Sequence, residues 1–251
     1  MIYILRLSLL VFILGPFSPM TQAETLRIAV ASNFQNCLST LLPAFQEQHP
    51  STIIRVSSAA TGVLFHQIRH GAPFDVLLAA DELRPRQLEA LGLGRHRLTY
   101  AIGQLSLVSK QQAAHTPKLL ADWLRNLSGK LAIANPDTAP FGLASKQVLT
   151  YLNNWPMPSS SLVTASNIRQ SLQFFASSNA AAAFINSADA GQLPEHYRLT
   201  IPSAWHAPIR QQAILLQSGF QKPSATAFMN YLQSATGQQQ IRYCGYQSSD
   251  R

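Results

Sequence analysis

The sequence predicts an α/β fold in two lobes, and two observations carry that expectation. Short apolar runs of strand length alternate with longer segments of helical apolar period from residue 25 onward. Four polar, small-residue junctions each follow a strand and open a helix, two in the first half of the chain and two in the second. Alternation of this kind builds right-handed βαβ units around a mostly parallel sheet, whose ligands sit beyond the carboxyl ends of the strands.

Taken in order, "TLRIAVAS" reads as a buried strand. Phe34, Cys37, Leu38, Leu41, Leu42 and Phe45 then recur at three and four, an amphipathic helix ended by Pro50. "TIIRVSS" is a second strand, and Val63, Leu64 and Ile68 of the helix after it are expected to face inward. "FDVLLAA" is a third strand and "DELRPRQLEALGL" a third helix, with Asp81 where a carboxylate favours a helix start. From about Ala101 a second series begins, with strands "GQLSLVS", "KLAIANP", "SLVTAS" and "AAAAFIN". Between them lie helices "PKLLADWLRNL", "GLASKQVLTYLNN" and "NIRQSLQFFASS". "YRLTIP" and "RQQAILLQS" read as crossing or edge strands, and "SATAFMNYLQSA" and "TGQQQIRYC" as two closing helices. No repeat of solenoid length interrupts this order.

The first residues, MIYILRLSLLVFILGPFSPMTQA, join one positive charge at Arg6 to an apolar run and small residues before Ala23. That is the pattern of a secretory signal removed after Ala23, since the run stops at Gly15-Pro16, short of the roughly 18 apolar residues of a span. Export places the mature chain outside the cytoplasm. The 19 Lys and Arg against 11 Asp and Glu give a net charge of +8, but the basic residues are scattered, which argues for a general pull on anions and against nucleic acid. The two cysteines, Cys37 and Cys244, are too few for a metal framework. Two buried thiols and a disulfide both remain open for them.

The four junctions are Ala31-Ser32-Asn33, Ala59-Ala60-Thr61-Gly62, Asn135 through Gly142, and Ala165-Ser166-Asn167-Ile168. A helix start presents unpaired N–H groups and about half a positive charge, so it can hold an anion without a cationic side chain. Ser, Thr and Asn are also ordinary caps, and any one junction alone is explained that way. Donors without charge would favour a fully ionised oxyanion, because any protonated oxygen would face a donor. Motifs for serine hydrolysis, nucleotide phosphate binding and zinc proteolysis are absent from the sequence. His66 and His70 share a helix face, but no acidic third ligand lies on that turn.

Four stretches, "AVASNF", "ATGVLFHQIRHGAPFDVLLAADELRP", "KLAIANPDTAPFGLASKQVL" and "ASNIRQSLQFF", resemble the molybdate-binding proteins of bacterial ABC importers, in order from about Leu26 to Tyr246. The resemblance implies a type II periplasmic-binding-protein fold, a mixed, mostly parallel sheet with helices in each lobe, the lobes joined by crossing strands. Residues 24–101 and 206–251 would form the first lobe and 102–205 the second. It implies a periplasmic receptor, not an enzyme, that takes molybdate or tungstate as its ligand, needs no cofactor and delivers to a membrane permease. A monomer is expected. Molybdenum would enter only as the bound oxyanion, without direct metal ligands. The family's anion-binding positions fall on Ser32, Asn33, Thr61 and the N–H groups of Phe141 and Ile168. A tyrosine that part of the family uses falls on Asn186, so either Asn33 supplies the missing donor, the preferred reading, or Asn186 reaches the site itself. A receptor for sulfate or phosphate, and an exported enzyme acting on an anionic ester, are the alternatives.

Overall fold

A computed structural model describes residues 24–248 except 112, 114 and 115; the expected signal segment lies outside the described residues. Among the described residues, ten strands fall into two five-stranded sheets. The first sheet holds β1 (Glu24–Ala31), β2 (Thr52–Ala59), β3 (Val76–Leu78), β4 (Gly94–Gly103) and β10 (Ile209–Leu216) in the order β2-β1-β3-β10-β4. The second holds β5 (Leu105–Ser109), β6 (Leu131–Ala134), β7 (Leu162–Ala165), β8 (Ala182–Asn186) and β9 (Arg198–Thr200) in the order β7-β6-β8-β5-β9. In each, a parallel triplet is extended by antiparallel strands: β1 runs parallel to β2 and β3, and β6 to β7 and β8.

Helices cover the sheets because each carries an apolar stripe. Cys37, Leu38, Leu41 and Phe45 of α1 (Gln35–Gln48) are buried beside Phe228 and Leu232 of α8 (Pro223–Gln233) and Ile241 of α9 (Ala235–Tyr243). On the sheet's other side lie α2 (Thr61–Arg69) and α3 (Leu83–Ala90), where Leu64, Phe65, Ile68 and Leu88 pack on Ala29 and Leu77. Val63, expected inside, is 38% exposed, because the buried face of α2 runs through Thr61, Leu64, Phe65 and Ile68 and leaves position 63 on the outer side. In the second lobe α4 (Pro117–Arg125) and α5 (Pro140–Tyr151) bury Leu120, Leu124, Val148 and Leu149 on one side. The opposite side receives Phe175 of α6 (Ile168–Ala176) and Ala190 of the short α7 (Ser187–Ala190).

One element departs from expectation. β4 has no counterpart in the apolar pattern: its first half carries Arg95, His96 and Arg97 on a sheet edge, and only Gly94, Tyr100, Ala101 and Gly103 are buried. One residue, Gln104, separates it from β5, so the pair forms a crossing between the sheets. β10 is the return crossing and lies inside its sheet, antiparallel to β3 and β4, which explains why seven of its eight residues are buried. β9, by contrast, is an edge strand as read from the sequence.

Cys37 and Cys244 form a disulfide that ties the start of α1 to the end of α9 across 207 residues. Asp75 is fully buried at the entry to β3, where its Oδ2 accepts from the N–H of Arg27 and from Lys222 Nζ at 2.8 Å. That carboxylate fixes the "GAPFD" turn against β1 and α8.

Side chains also meet between the lobes. Arg169 Nη1 donates to Gln35 Oε1 at 2.7 Å, and Asn36 Nδ2 donates to Asp189 Oδ1 at 2.9 Å. Burial raises the Asp189 carboxyl above the ordinary carboxylate range, opposed by the Asn36 hydrogen bond, the Arg169 charge and Asn186. The folded state then holds this proton more tightly than the unfolded state. Its contribution to stability is complete below the unfolded pKa and is lost as pH rises through the folded one.

Two outcomes are expected from these contacts. Reducing the disulfide should lower the melting temperature by about 5–15 °C, since a cross-link closing so long a loop typically contributes about 2–5 kcal/mol; calorimetry with and without reductant measures it. Melting temperature followed upward from about pH 4 should fall in wild type more than in Asp189→Asn, whose neutral side chain has no proton to lose.

Candidate functional site

The segments that follow β1, β2, β6 and β7 meet at one place, and each opens a helix. Between them lies a small cavity of about 10 Å³, lined from the first lobe by Ala31, Ser32, Asn33, Ala60, Thr61 and Ala80. Ala139, Pro140, Phe141 and Ile168 line it from the second. No lining residue carries a charge. A space this small leaves no room for a bulky organic group.

The helix starts here lack their usual caps. The N-cap position is Ala31 before the 3-10 turn Ser32–Phe34 that opens α1, Ala60 before α2 and Ala139 before α5, and none supplies a side-chain cap. Alanine is among the poorest N-caps because it has no acceptor for the free N–H groups. Elsewhere Thr116, Asn186 and Ser234 cap their helices, and the starts of α3 and α8, which also lack a capping side chain at the N-cap, take carboxylate acceptors from Asp81 and Glu24. Among the described residues, the N–H groups of Asn33, Thr61, Phe141 and Ile168 have no backbone acceptor. Pro140 at the first position of α5 makes Phe141 the first residue of that helix able to donate. α6 alone is capped at the pocket: Asn167 Oδ1 accepts from the N–H of Gln170 at 3.1 Å, leaving that of Ile168 free.

Thr61 is not the cap of α2 but its first residue. Its hydroxyl oxygen accepts from the N–H of Ala80 at 3.0 Å, and the side chain is 1% exposed. Because that bond occupies a lone pair, the hydroxyl proton remains to be donated. Ser32 is buried too, and its hydroxyl has no hydrogen bond among the described residues. The pocket therefore holds two hydroxyl donors and several backbone donors in a neutral, buried setting.

Two glycines allow this convergence. A Cβ on Gly142 would stand 2.3 Å from the carbonyl oxygen of Ala134, so α5 can seat on the end of β6 only without a side chain there. The N–H of Gly62 donates to the carbonyl of Thr138 in the other lobe at 2.8 Å, and a Cβ would lie 2.9 Å from that oxygen. Arg84 Nη2 donates to the carbonyl of Asp137 at 2.9 Å, a second tie at the same rim.

Of the residues singled out from the sequence, Ser32, Asn33, Thr61, Phe141 and Ile168 meet at this pocket. Asn186 does not line it. Its Oδ1 accepts from the N–H of Ala188 at 3.3 Å, and its Nδ2 donates to the Tyr246 hydroxyl at 2.8 Å and to the Asn33 carbonyl at 3.2 Å. Asn33 lines the pocket, but its Nδ2 donates to Gln211 Oε1 at 2.8 Å and to the Tyr246 hydroxyl at 3.2 Å. Burial pushes the Tyr246 phenol far above its ordinary value, with the charge of Asp189 adding to it, so Tyr246 acts as a neutral hydrogen-bonding group. Tyr246 and Gln211 went unnoticed in the sequence because they lie at the far end of the chain from Asn33. Alanine at three of the cap positions was likewise not read from the sequence, which placed the caps on Ser, Thr and Asn.

Residues 26–247 match the sequence model of the bacterial extracellular solute-binding proteins. The chain is 35% identical to the molybdate-binding protein ModA of Azotobacter vinelandii over 230 residues, 90% of each chain. It is 30% identical to ModA of Rhodobacter capsulatus over 239 residues, 94% of this chain and 93% of that one. The solved structure of an Azotobacter vinelandii periplasmic molybdate-binding protein superposes with a TM-score of 0.80 at 31% identity, covering 88% of this chain and 98% of the other. Agreement over nearly the whole length, in sequence and in fold, is what common descent of an entire two-lobed receptor leaves behind, and this chain belongs to the bacterial extracellular solute-binding proteins.

Proposed function

We propose that this protein captures molybdate, and tungstate with it, outside the cytoplasm and delivers the anion to the permease of an ABC importer. One observation carries the reading: an uncharged pocket between the lobes, where uncapped helix starts and two buried hydroxyls offer only donors. The kinship with molybdate-binding proteins at 35% identity supports the choice of anion.

In this reading the hydroxyls of Ser32 and Thr61 and the N–H groups of Asn33, Thr61, Phe141 and Ile168 surround the oxyanion. Asn33 contributes its backbone, its amide being engaged behind the pocket, and Asn186 supports the site without touching the ligand. Donors from both lobes make closure and binding one event, with residues 24–101 and 206–248 moving against 102–205. A fully deprotonated dianion is accepted by such a site, whereas hydrogen phosphate would set a proton against a donor. Binding and release without chemistry is the whole activity, performed by a periplasmic monomer after removal of residues 1–23.

Titration calorimetry of the mature protein with molybdate, tungstate, sulfate and phosphate tests the reading. Tight one-to-one binding of the first two, with weak or absent binding of the others, is expected; preference for sulfate or phosphate would overturn the choice of anion. At a hundredfold excess over Kd, molybdate should raise the melting temperature by about 5–10 °C, since such saturation contributes about 2.7 kcal/mol.

The double variant Ser32→Ala, Thr61→Ala should lose at least a hundredfold in affinity while its unliganded melting temperature falls only a few degrees. In the unliganded protein only Thr61 loses a hydrogen bond, worth about 1 kcal/mol to stability, but two donors facing an anion count for roughly twice that each. Thr61→Ser, which keeps both the proton and the acceptor for Ala80, should bind nearly as wild type.

A further inference from the structure

Asn33 forms a wall shared by two spaces. One of its sides lines the anion pocket; the other lines a groove between the lobes with Cys37, Asp189, Cys244 and Tyr246. Behind that wall the Tyr246 hydroxyl donates to the Asn33 carbonyl at 2.7 Å. It accepts from Asn33 Nδ2 at 3.2 Å and from Asn186 Nδ2 at 2.8 Å. One proton and two lone pairs are thus all engaged, and the third partner comes from the opposite lobe.

Tyr246 is held in place from both directions along the chain. Two residues before it, Cys244 is bonded to Cys37 of α1. One residue after it, Gln247 exchanges two backbone hydrogen bonds, at 3.0 and 3.2 Å, with Ile102 near the end of the crossing strand β4. Gly245 takes φ +89°, which lets the chain turn between these two anchors. The ring packs edge-on against Phe34, with centroids 5.1 Å apart, in the turn that carries Ser32 and Asn33. The tyrosine therefore links the ligand turn, the crossing between the lobes and the end of β8.

We infer that Tyr246 is a positioning residue of the anion site: anchored between the Cys37–Cys244 disulfide and the crossing strand, its hydroxyl holds the Asn33 peptide in its binding orientation and joins it to Asn186 of the other lobe. The inference rests on the oxyanion-receptor reading. Because the link to Asn186 spans the lobes, it favours the closed state and slows release of the anion, while leaving the rate of encounter unchanged. Tyr246 touches no ligand; it acts through the turn that does.

Tyr246→Phe keeps the ring against Phe34 and removes only the hydroxyl. Calorimetry and stopped-flow measurements with molybdate should show about tenfold weaker binding, carried by a faster dissociation rate with the association rate within about twofold of wild type. The unliganded melting temperature should stay within a few degrees. Asn186→Ser, which keeps an oxygen able to cap α7 but lacks the two amide donors, should weaken binding likewise. The double variant should lose no more than the worse single one, because the two groups act as one unit.

Wild-type affinity in Tyr246→Phe, a loss carried by the association rate, or additive losses in the double variant would each overturn this inference while leaving the receptor reading intact. Wild-type protein that binds none of molybdate, tungstate, sulfate and phosphate would overturn both. Should Tyr246→Phe not fold, the dissociation rate of Asn186→Ser decides alone.

Discussion

The structure is organised around backbone N–H groups that the protein does not satisfy by itself. Buried backbone donors are nearly always paired, and an unpaired one costs free energy comparable to a lost hydrogen bond. Here three helix starts with alanine at the cap and a fourth whose cap serves a later residue converge on one small uncharged space. An anion bearing acceptors on every side relieves them all at once. The same group of donors that would be a defect in a closed core gives the two lobes a reason to close on a ligand.

Most of the surrounding fold holds those starts at the right separation. The segments that follow β1, β2, β3, β6 and β7 meet at one pocket, the buried Asp75 fixes the turn that leads into β3, and Gly142 lets α5 sit directly on β6. Ala80, which follows β3, spends its N–H on Thr61 and so turns that hydroxyl into a donor. Selectivity follows from the same economy of charge. A lysine or arginine in the pocket would attract any anion, whereas neutral donors in fixed directions discriminate by protonation state and size.

The alternating framework was readable because strongly periodic segments such as α1 and continuous apolar runs such as β1 leave little choice of structure. β4 escaped because an edge strand with Arg95, His96 and Arg97 in its first half has no buried face to impose alternation there. The interior place of β10 was hidden as well, since its neighbours β3 and β4 lie more than a hundred residues earlier. At the pocket, the four junctions could be read from the sequence, while Phe141 and Ile168 in particular came from the family resemblance. The engagement of Asn33 and Asn186 with Tyr246 could not be read, because it depends on how the last turn of chain folds back. Pairing of Cys37 with Cys244 is of the same kind: both thiols were visible, but only the packing of α9 on α1 brings them together.

The central claim is that neutral donors from both lobes close on one anion. Amide proton and nitrogen resonances of the mature protein, followed during titration with molybdate, test it most directly. The signals of Asn33, Thr61, Phe141 and Ile168 should move together and saturate at one equivalent, with the proton shifts toward stronger hydrogen bonding. Saturable shifts confined to one lobe, or centred on charged side chains elsewhere, would contradict the account.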